Sequence, residues 1–373
     1  MTGSRELYRD DRFYCAHPHA IALADGSILV VATRAPARRI VLHPPHDPAF
    51  HNVMFRSIDG GHTWSPPEVV PDASWTGMEC AGLTRLANGA VMLNQWRFGW
   101  HEAEAQSTAG QGLGPAGILA DALCSSELDF NDGDRLDPGS VSPLIREGGQ
   151  TWLHFSDDGG QHFDRPVRLD TAPFSGGYGM RGAVEMADGR ILLPLCDVPA
   201  YRQVFGVWSS DGGASWSAPQ LLAADPKKEY EEPAALITAT GRILLALREN
   251  VSRRLHVLWS DDGGRSWSTP LNTGIEEYPA QLFQLPDGRI GCLGGRRQPP
   301  YGIGLIVSPD NGETWRTDRP IIIRDDLPNK NLGYPTGILD RHGGMTVIYY
   351  CEDSHGVTGL EVSQFGPEHL QFS

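Results

Sequence analysis

The chain has 373 residues, 40% of them hydrophobic, and a net charge of −15. That is ample for a large core, and the acidic balance argues against a general surface for nucleic acid or an anionic membrane. No uninterrupted apolar run reaches membrane-spanning length, and the N-terminal MTGSRELYRDDRFY lacks the apolar segment of a secretory signal.

Glycine (44) and proline (28) recur as turn residues along the whole length, which fits many short strands better than long helices. The first unit, AIALADGSILVVA, is a strand, a tight turn at Gly26 and a second strand. After Ala35–Phe50 comes Ser57–Trp64, which reads S-x-D-x-G-x-x-W. The second unit, LTRLANGAVMLNQ, turns at Gly89 and is followed by the long segment His101–Gly149 and then by Ser156–Phe163. AVEMADGRILLPL turns at Gly189 and is followed by Ser209–Trp216; ALITATGRILLAL turns at Gly241 and is followed by Ser260–Trp267. LFQLPDGRIGCLG turns at Gly288 and precedes Ser308–Trp315. The last unit, GILDRHGGMTVIY, turns at Gly343–Gly344, lacks the S-x-D repeat and runs out to GLEVSQF.

Asp-Gly or Asn-Gly between apolar-alternating runs is a strong hairpin signal. In the S-x-D-x-G repeat the Asp accepts from the backbone of its own turn, the Gly permits positive φ, and the aromatic buries itself between sheets. The repeat is a hairpin staple. Five copies make Asp59, Asp158, Asp211, Asp262 and Asp310 structural carboxylates, since one catalytic acid would not be needed five times. In the third, fourth and fifth units the staple Asp follows the turn Gly by 22, 21 and 22 residues. That spacing describes a four-stranded blade of about fifty residues. Six units therefore predict an all-β, six-bladed β-propeller formed by residues 1–373 as one domain, with its sixth blade completed by the N-terminal segment. Turns and staples fall on one face, so the segments 35–50 and 101–149 fall on the other, as loops beside a cleft. The second is an insertion in blade 2 that could serve as an ordered lid, a dimer contact or a mobile loop.

Positions seven to ten residues before each turn should ring the axis on that open face. They hold His17 and His19, Glu79, Arg181, Glu231 and Glu232, Tyr278 and Gln281, and Tyr334. The returning strands offer Arg34, Arg97, Asp197, Arg248, Arg296–Arg297, and Glu352 with Asp353. Arg, Glu, His and Tyr recurring at equivalent ring positions predict a polar binding site. Trp96, Trp100, Tyr178 and Tyr301 serve either core packing or stacking on the ring faces of a ligand. Cys15, Cys80, Cys124, Cys196, Cys292 and Cys351 show no CxxC spacing and read as reduced core residues of a cytoplasmic protein.

The staples, known as Asp-boxes, and the six hairpins resemble the sialidase superfamily with its BNR repeats, over essentially the whole chain. The resemblance implies a nucleophilic tyrosine activated by glutamate. Glu232, in EYEEPAAL, matches the glutamate, Arg248 lies sixteen residues on, and Tyr334, in NLGYPTGIL, matches the tyrosine. It also implies three arginines holding a substrate carboxylate. Arg248 matches one and Arg297 (or Arg296) a second. The first has no counterpart, because CAHPHAIALADG carries His17 or an alanine there. The family's general acid lies before the first Asp-box, where Asp47 is the candidate.

His17, His19, His43, His46 and His51 all belong to blade 1. Metal ligation, acid–base chemistry and hydrogen bonding within the loop are the three readings; no strict ligand spacing supports a metal, and no cofactor is expected. The resulting expectation is a hydrolase acting beside an acidic sugar, such as a sialic acid, related nonulosonate or uronate. Tyr334 and Glu232 would supply the chemistry, Asp47 or His17 the acid, and Arg248, Arg297, Arg181, Arg34, Glu79, His19, Tyr278 and Gln281 the contacts. A uronate-specific polysaccharide lyase and a non-catalytic sugar-binding propeller are the alternatives. The partner is an oligosaccharide or small acidic sugar, with no nucleic acid and no membrane; a homo-oligomer stays open.

Overall fold

The computed structural model of the protein describes residues 2–37, 47–102, 144–276 and 278–370. Histidines 43 and 46, Cys124 and most of the blade 2 insertion lie outside them. The chain opens with β1 (Thr2–Tyr8). Blade 1 comprises β2 (Phe13–Ala22), β3 (Ile28–Pro36), β4 (His51–Ser57) and β5 (Glu68–Val69), and blade 2 comprises β6 (Met78–Arg85), β7 (Val91–Glu102), β8 (Leu144–Ser156) and β9 (Asp164–Arg168). Blade 3 has a split inner strand, β10 (Gly176–Tyr178) and β11 (Val184–Glu185), followed by β12 (Ile191–Asp197), β13 (Gln203–Ser209) and β14 (Gln220–Ala224). Blade 4 is β15 (Tyr230–Ile237), β16 (Ile243–Glu249), β17 (Arg254–Ser260) and β18 (Leu271–Asn272). Blade 5 is β19 (Gln281–Gln284), β20 (Ile290–Arg296), β21 (Gly302–Ser308) and β22 (Ile321–Arg324). In blade 6, β23 (Leu332–Leu339), β24 (Met345–Glu352) and β25 (Thr358–Phe365) are joined on the outside by β1. The fold is the expected six-bladed propeller, and the N-terminal segment closes its ring.

Each hairpin turn repeats one hydrogen-bond pattern. In the first, Leu23 N donates to Ser27 O (2.8 Å) and Gly26, at φ +85°, donates to Leu23 O (3.1 Å). A residue with a Cβ is disfavoured at that φ, which is why glycine recurs there. Each staple also closes alike. In blade 3, Ser209 Oγ donates to Asp211 Oδ1 (2.9 Å), while Gly213 N donates to Ser209 Oγ (2.9 Å) and Ser215 N to Asp211 Oδ1 (2.9 Å).

Turns and staples share one face. Arg190, just after the blade 3 turn, reaches Gly263 O of the next staple (3.1 Å), and Arg242 of blade 4 reaches Asn311 O (3.1 Å). Gln364 on β25 donates to Gly60 O of the blade 1 staple (2.8 Å), completing the circle. Between sheets the core is apolar: Phe155 and Met92 of blade 2 pack with Leu193 and Phe205 of blade 3. Full burial of such a side chain is worth about 1.5–3 kcal/mol.

The insertion is narrower than 101–149. Strands β7 and β8 form a long ribbon whose register runs out to Glu102 opposite Leu144, so 144–149 belong to a strand. Five cysteines (15, 80, 196, 292 and 351) are buried.

Candidate active site at the axis

Three inner strands break register around a non-glycine residue at positive φ. β2 shifts between Ala16 and His19, β15 between Glu231 and Ala234, and β23 between Gly333 and Thr336. Inside each shift one residue stands at positive φ, His17 at 56°, Glu232 at 53° and Tyr334 at 50°. Each is followed by a proline: Pro18, Pro233 and Pro335. Proline has no N–H for the ladder, and a bulge turns the preceding side chain out of the strand's alternation. A non-glycine residue at positive φ costs roughly 1–3 kcal/mol, strain of the kind that gathers at functional sites.

The three re-aimed side chains converge. Tyr334 Oη donates a short hydrogen bond to Glu232 Oε1. The His17 ring lies edge-on to the Tyr334 ring, centroids 4.5 Å apart. All three are buried, at 1–3% exposure.

Two arginines, one on β16 and one just past the end of β20, flank this group. Arg248, paired with Glu231 in the β15–β16 register, sets Nη1 3.4 Å from Glu232 Oε2 and 3.7 Å from Glu231 Oε2. Its Nε donates to Asn250 Oδ1 (2.9 Å), and Asn250 Nδ2 in turn donates to Glu231 Oε1 (2.7 Å). Arg297 donates to Leu332 O and to Tyr350 Oη, both at 3.1 Å, with its Cζ 5.7 Å from the Tyr334 ring centroid. Tyr278 packs beneath Arg248, 5.0 Å from Cζ to ring centroid.

Burial and the neighbouring Glu232 carboxylate push the Tyr334 phenol well above its ordinary pKa, against the pull of Arg248 and Arg297. The hydroxyl therefore stays protonated until something takes its proton, and Glu232 is in hydrogen-bonding position to do so.

Arg181 sits in the break between β10 and β11, where blades 2 and 3 nearly touch. A Cβ on Gly82 would lie 2.3 Å from Gly182 N, and one on Gly182 would lie 2.5 Å from Leu83 O. This approach carries Arg181 to the axis, with Cζ 5.9 Å from the Tyr334 ring centroid. Its pKa is lowered by burial, partly offset by Glu232.

Three expected contacts turn to other partners. His19 accepts from Leu83 N through Nδ1 (2.9 Å), and Gln281 Oε1 accepts from Gly337 N; both bonds stitch one blade to the next. Arg34 turns aside, its Cζ 4.5 Å over the Phe13 ring and its Nε on His51 Nε2 (3.2 Å). Glu79 lies in the β6 register shift, half-buried, its backbone O accepting from Asn52 (2.9 Å). Asp47 is buried, and its Oδ1 accepts from Ala49 N (2.9 Å) at the start of a turn leading to Phe50. Phe50 stacks toward Tyr14 (6.1 Å) and Tyr14 toward His17 (6.2 Å), so this loop packs behind the histidine. Trp96 and Tyr178 are core residues, 5.9 Å apart. Among the described residues no cluster of three His, Cys, Asp or Glu side chains could hold a metal.

Glu231, one of the expected ring residues, completes the surroundings with Tyr350, Tyr14 and Asn250, which the sequence did not single out. The recurring X-Pro step was the available signal: three inner strands carry it at the same position, and each marks a residue aimed at the axis.

Residues 142–347, more than half of the chain, match the family model of the BNR repeat-like domain. The chain belongs to that family. No curated protein matches it. Among solved structures, this BNR-repeat protein is similar to a protein of unknown function from Dyadobacter fermentans, at 21% identity and TM-score 0.77, covering 98% of this chain and 100% of that one. It is also similar to the NanB sialidase of Streptococcus pneumoniae, at 12% identity and TM-score 0.68, covering 99% and 71%. An α-L-arabinanase of Penicillium chrysogenum, complexed with arabinobiose, matches at 11% identity and TM-score 0.63, covering 98% of each chain. At these identities the likeness is one of fold. Sialidase and arabinanase share it, so the substrate must be argued from side chains.

Proposed function

We propose that this protein is a glycoside hydrolase that cleaves a glycosidic bond of an acidic sugar through Tyr334. The observation that carries the reading is the buried hydrogen bond from Tyr334 Oη to Glu232, flanked by Arg248 and Arg297.

In the first step Tyr334 Oη attacks the anomeric carbon as the glycosidic C–O bond breaks, and the phenolic proton passes to Glu232 Oε1. The departing oxygen takes a proton from an acid, Asp47 or His17. Water then attacks the tyrosyl glycoside, its proton going to the group that served as acid, while Glu232 returns its proton to Tyr334. A neutral phenol meets an anionic sugar without the charge repulsion a carboxylate nucleophile would suffer, and sialidases are the known tyrosine exception among glycosidases. Arg248 and Arg297 supply planar cations for the substrate's carboxylate. The sialidase in the comparisons acts on a sugar of this kind, and the two arginines favour such a substrate over the neutral pentoses of an arabinanase.

A lyase acting on a uronate is the second reading. One contact favours it: the His17 imidazole adjoins the Tyr334 phenol at 4.5 Å, giving a candidate base beside a candidate acid. Product mass separates the two. Hydrolysis of an acidic oligosaccharide adds one water; elimination adds none and leaves an unsaturated sugar.

A further inference from the structure

Arg97, expected on the open face from its place at a returning strand end, takes no part in the Tyr334 group. It stands on β7 opposite Met78, where the β6 register shift that holds Glu79 begins, and so one strand outward from the inner one. Its guanidinium lies on the Trp75 ring with Cζ 3.5 Å from the centroid, a separation that two flat groups reach only in face contact. Trp152 of β8 adds a second ring at 5.9 Å, and the two indoles are 6.2 Å apart. A bond from Phe98 N to Gly77 O (3.0 Å) ties the Trp75 loop to β7.

Stacking covers the face of a guanidinium and leaves its N–H donors along the edge. Those of Arg97 have no hydrogen-bond or ion-pair partner among the described residues, and unlike those of Arg181 they keep contact with solvent. Burial lowers the Arg97 pKa, and no carboxylate raises it. Gln150, exposed, lies across from Arg97 in the β7–β8 register, two residues before Trp152 and therefore on the same face. Arg168 of β9 is paired with Trp152, so it shares that face; it is exposed and has no acidic partner among the described residues. In a chain with 46 acidic and 31 basic side chains, two arginines without a carboxylate beside one tryptophan reverse the local charge. Since β7, β8 and β9 are successive strands about 4.8 Å apart, Arg97, Trp152 and Arg168 form a strip leading outward across blade 2.

We propose that this strip is a distal subsite for a second acidic sugar, whose carboxylate the Arg97 guanidinium takes edge-on while Arg168 holds an acidic residue further out. The inference rests on the acidic-sugar reading of the Tyr334 site and narrows it: the substrate is an oligosaccharide of successive acidic residues, rather than one acidic end on a neutral chain.

The test compares calorimetric binding of an acidic monosaccharide with that of its oligomer, in two pairs: N-acetylneuraminic acid with its α2,8-linked dimer, and galacturonate with tetragalacturonate. The expected result is an oligomer bound about ten-fold or more tightly than its monosaccharide in one pair. Arg97→Met should remove that gain and leave binding of the monosaccharide unchanged. Oligomers bound no more tightly than monosaccharides in both pairs, or a gain that survives in Arg97→Met, overturn the proposal. Should Arg97→Met not fold, Arg168→Glu, on an exposed strand end, decides: a reduced gain supports the subsite and an undiminished gain overturns it. Cleavage is scored separately. A protein that binds the oligomer through Arg97 without cleaving it keeps the subsite and loses the hydrolase reading, and a hydrolase indifferent to Arg97 does the reverse.

Discussion

Tyr334 and Glu232 come from strands a hundred residues apart, and each reaches the axis because a proline forces the backbone out of its ladder. Tyr334→Phe removes the hydroxyl and keeps the ring against His17 and Tyr350. It should abolish turnover of an acidic glycoside while leaving the circular dichroism spectrum unchanged; retained activity would remove the tyrosine from the mechanism. Glu232→Gln keeps the shape but cannot take the phenolic proton, and should lower kcat by about 10²–10⁴-fold. Steady-state kinetics on one substrate checks both. That Tyr334, Glu232 and Arg248 meet at the axis was legible in the sequence through the family resemblance. His19 was grouped with His17 because the two share a face in a regular strand, and the bulge between Ala16 and His19 turns them apart. Tyr350 was illegible for the opposite reason: within MTVIYYCE nothing distinguishes it from a core tyrosine, and its contacts with Arg297, His17 and Tyr334 come from the fold.

At the scale of the element, the staples are electrostatic as well as geometric. Hydrogen bonds from Ser215 and Ser209 and from the backbone of its turn lower the Asp211 carboxyl from 3.8 to about 2. A group depressed in the folded state contributes stability that is fully present above its unfolded pKa and is lost as pH falls through the folded value. Stability should therefore decline between about pH 4 and pH 2 as the staples protonate. Asp211→Ala should lower the melting temperature at neutral pH by about 1–2 °C, a small shift because the entropy of unfolding grows with chain length. It should also make the acid-induced decline shallower, as read by melting curves across that pH range. An unchanged acid profile would mean the staple aspartates are not the titrating groups. These elements were the most readable part of the chain, since each carries its turn chemistry locally. The extent of the blade 2 insertion was less so, because β7 and β8 continue through residues without a clear alternating pattern.

For the whole molecule, the ring is closed by pairing β1 with β25 and by Arg5, which reaches Gly61 O of the blade 1 staple and Gln364 (2.9 Å). Deleting residues 2–8 would expose the β25 edge and remove the Arg5 link between the last blade and the first. The expected outcome is a large fall in melting temperature with aggregation, read by scanning calorimetry and light scattering; full stability would show that the closure is dispensable. With the ring closed, residues from blades 1, 3, 4, 5 and 6 meet at one axis, an arrangement no single blade could build. Incubating the purified protein with a panel of sialosides and uronides and weighing the products tests that arrangement most directly. Products heavier by one water, lost in Tyr334→Phe, are what a Tyr334–Glu232 hydrolase predicts. An unsaturated product without added water, or hydrolysis that survives the loss of the Tyr334 hydroxyl, would contradict it.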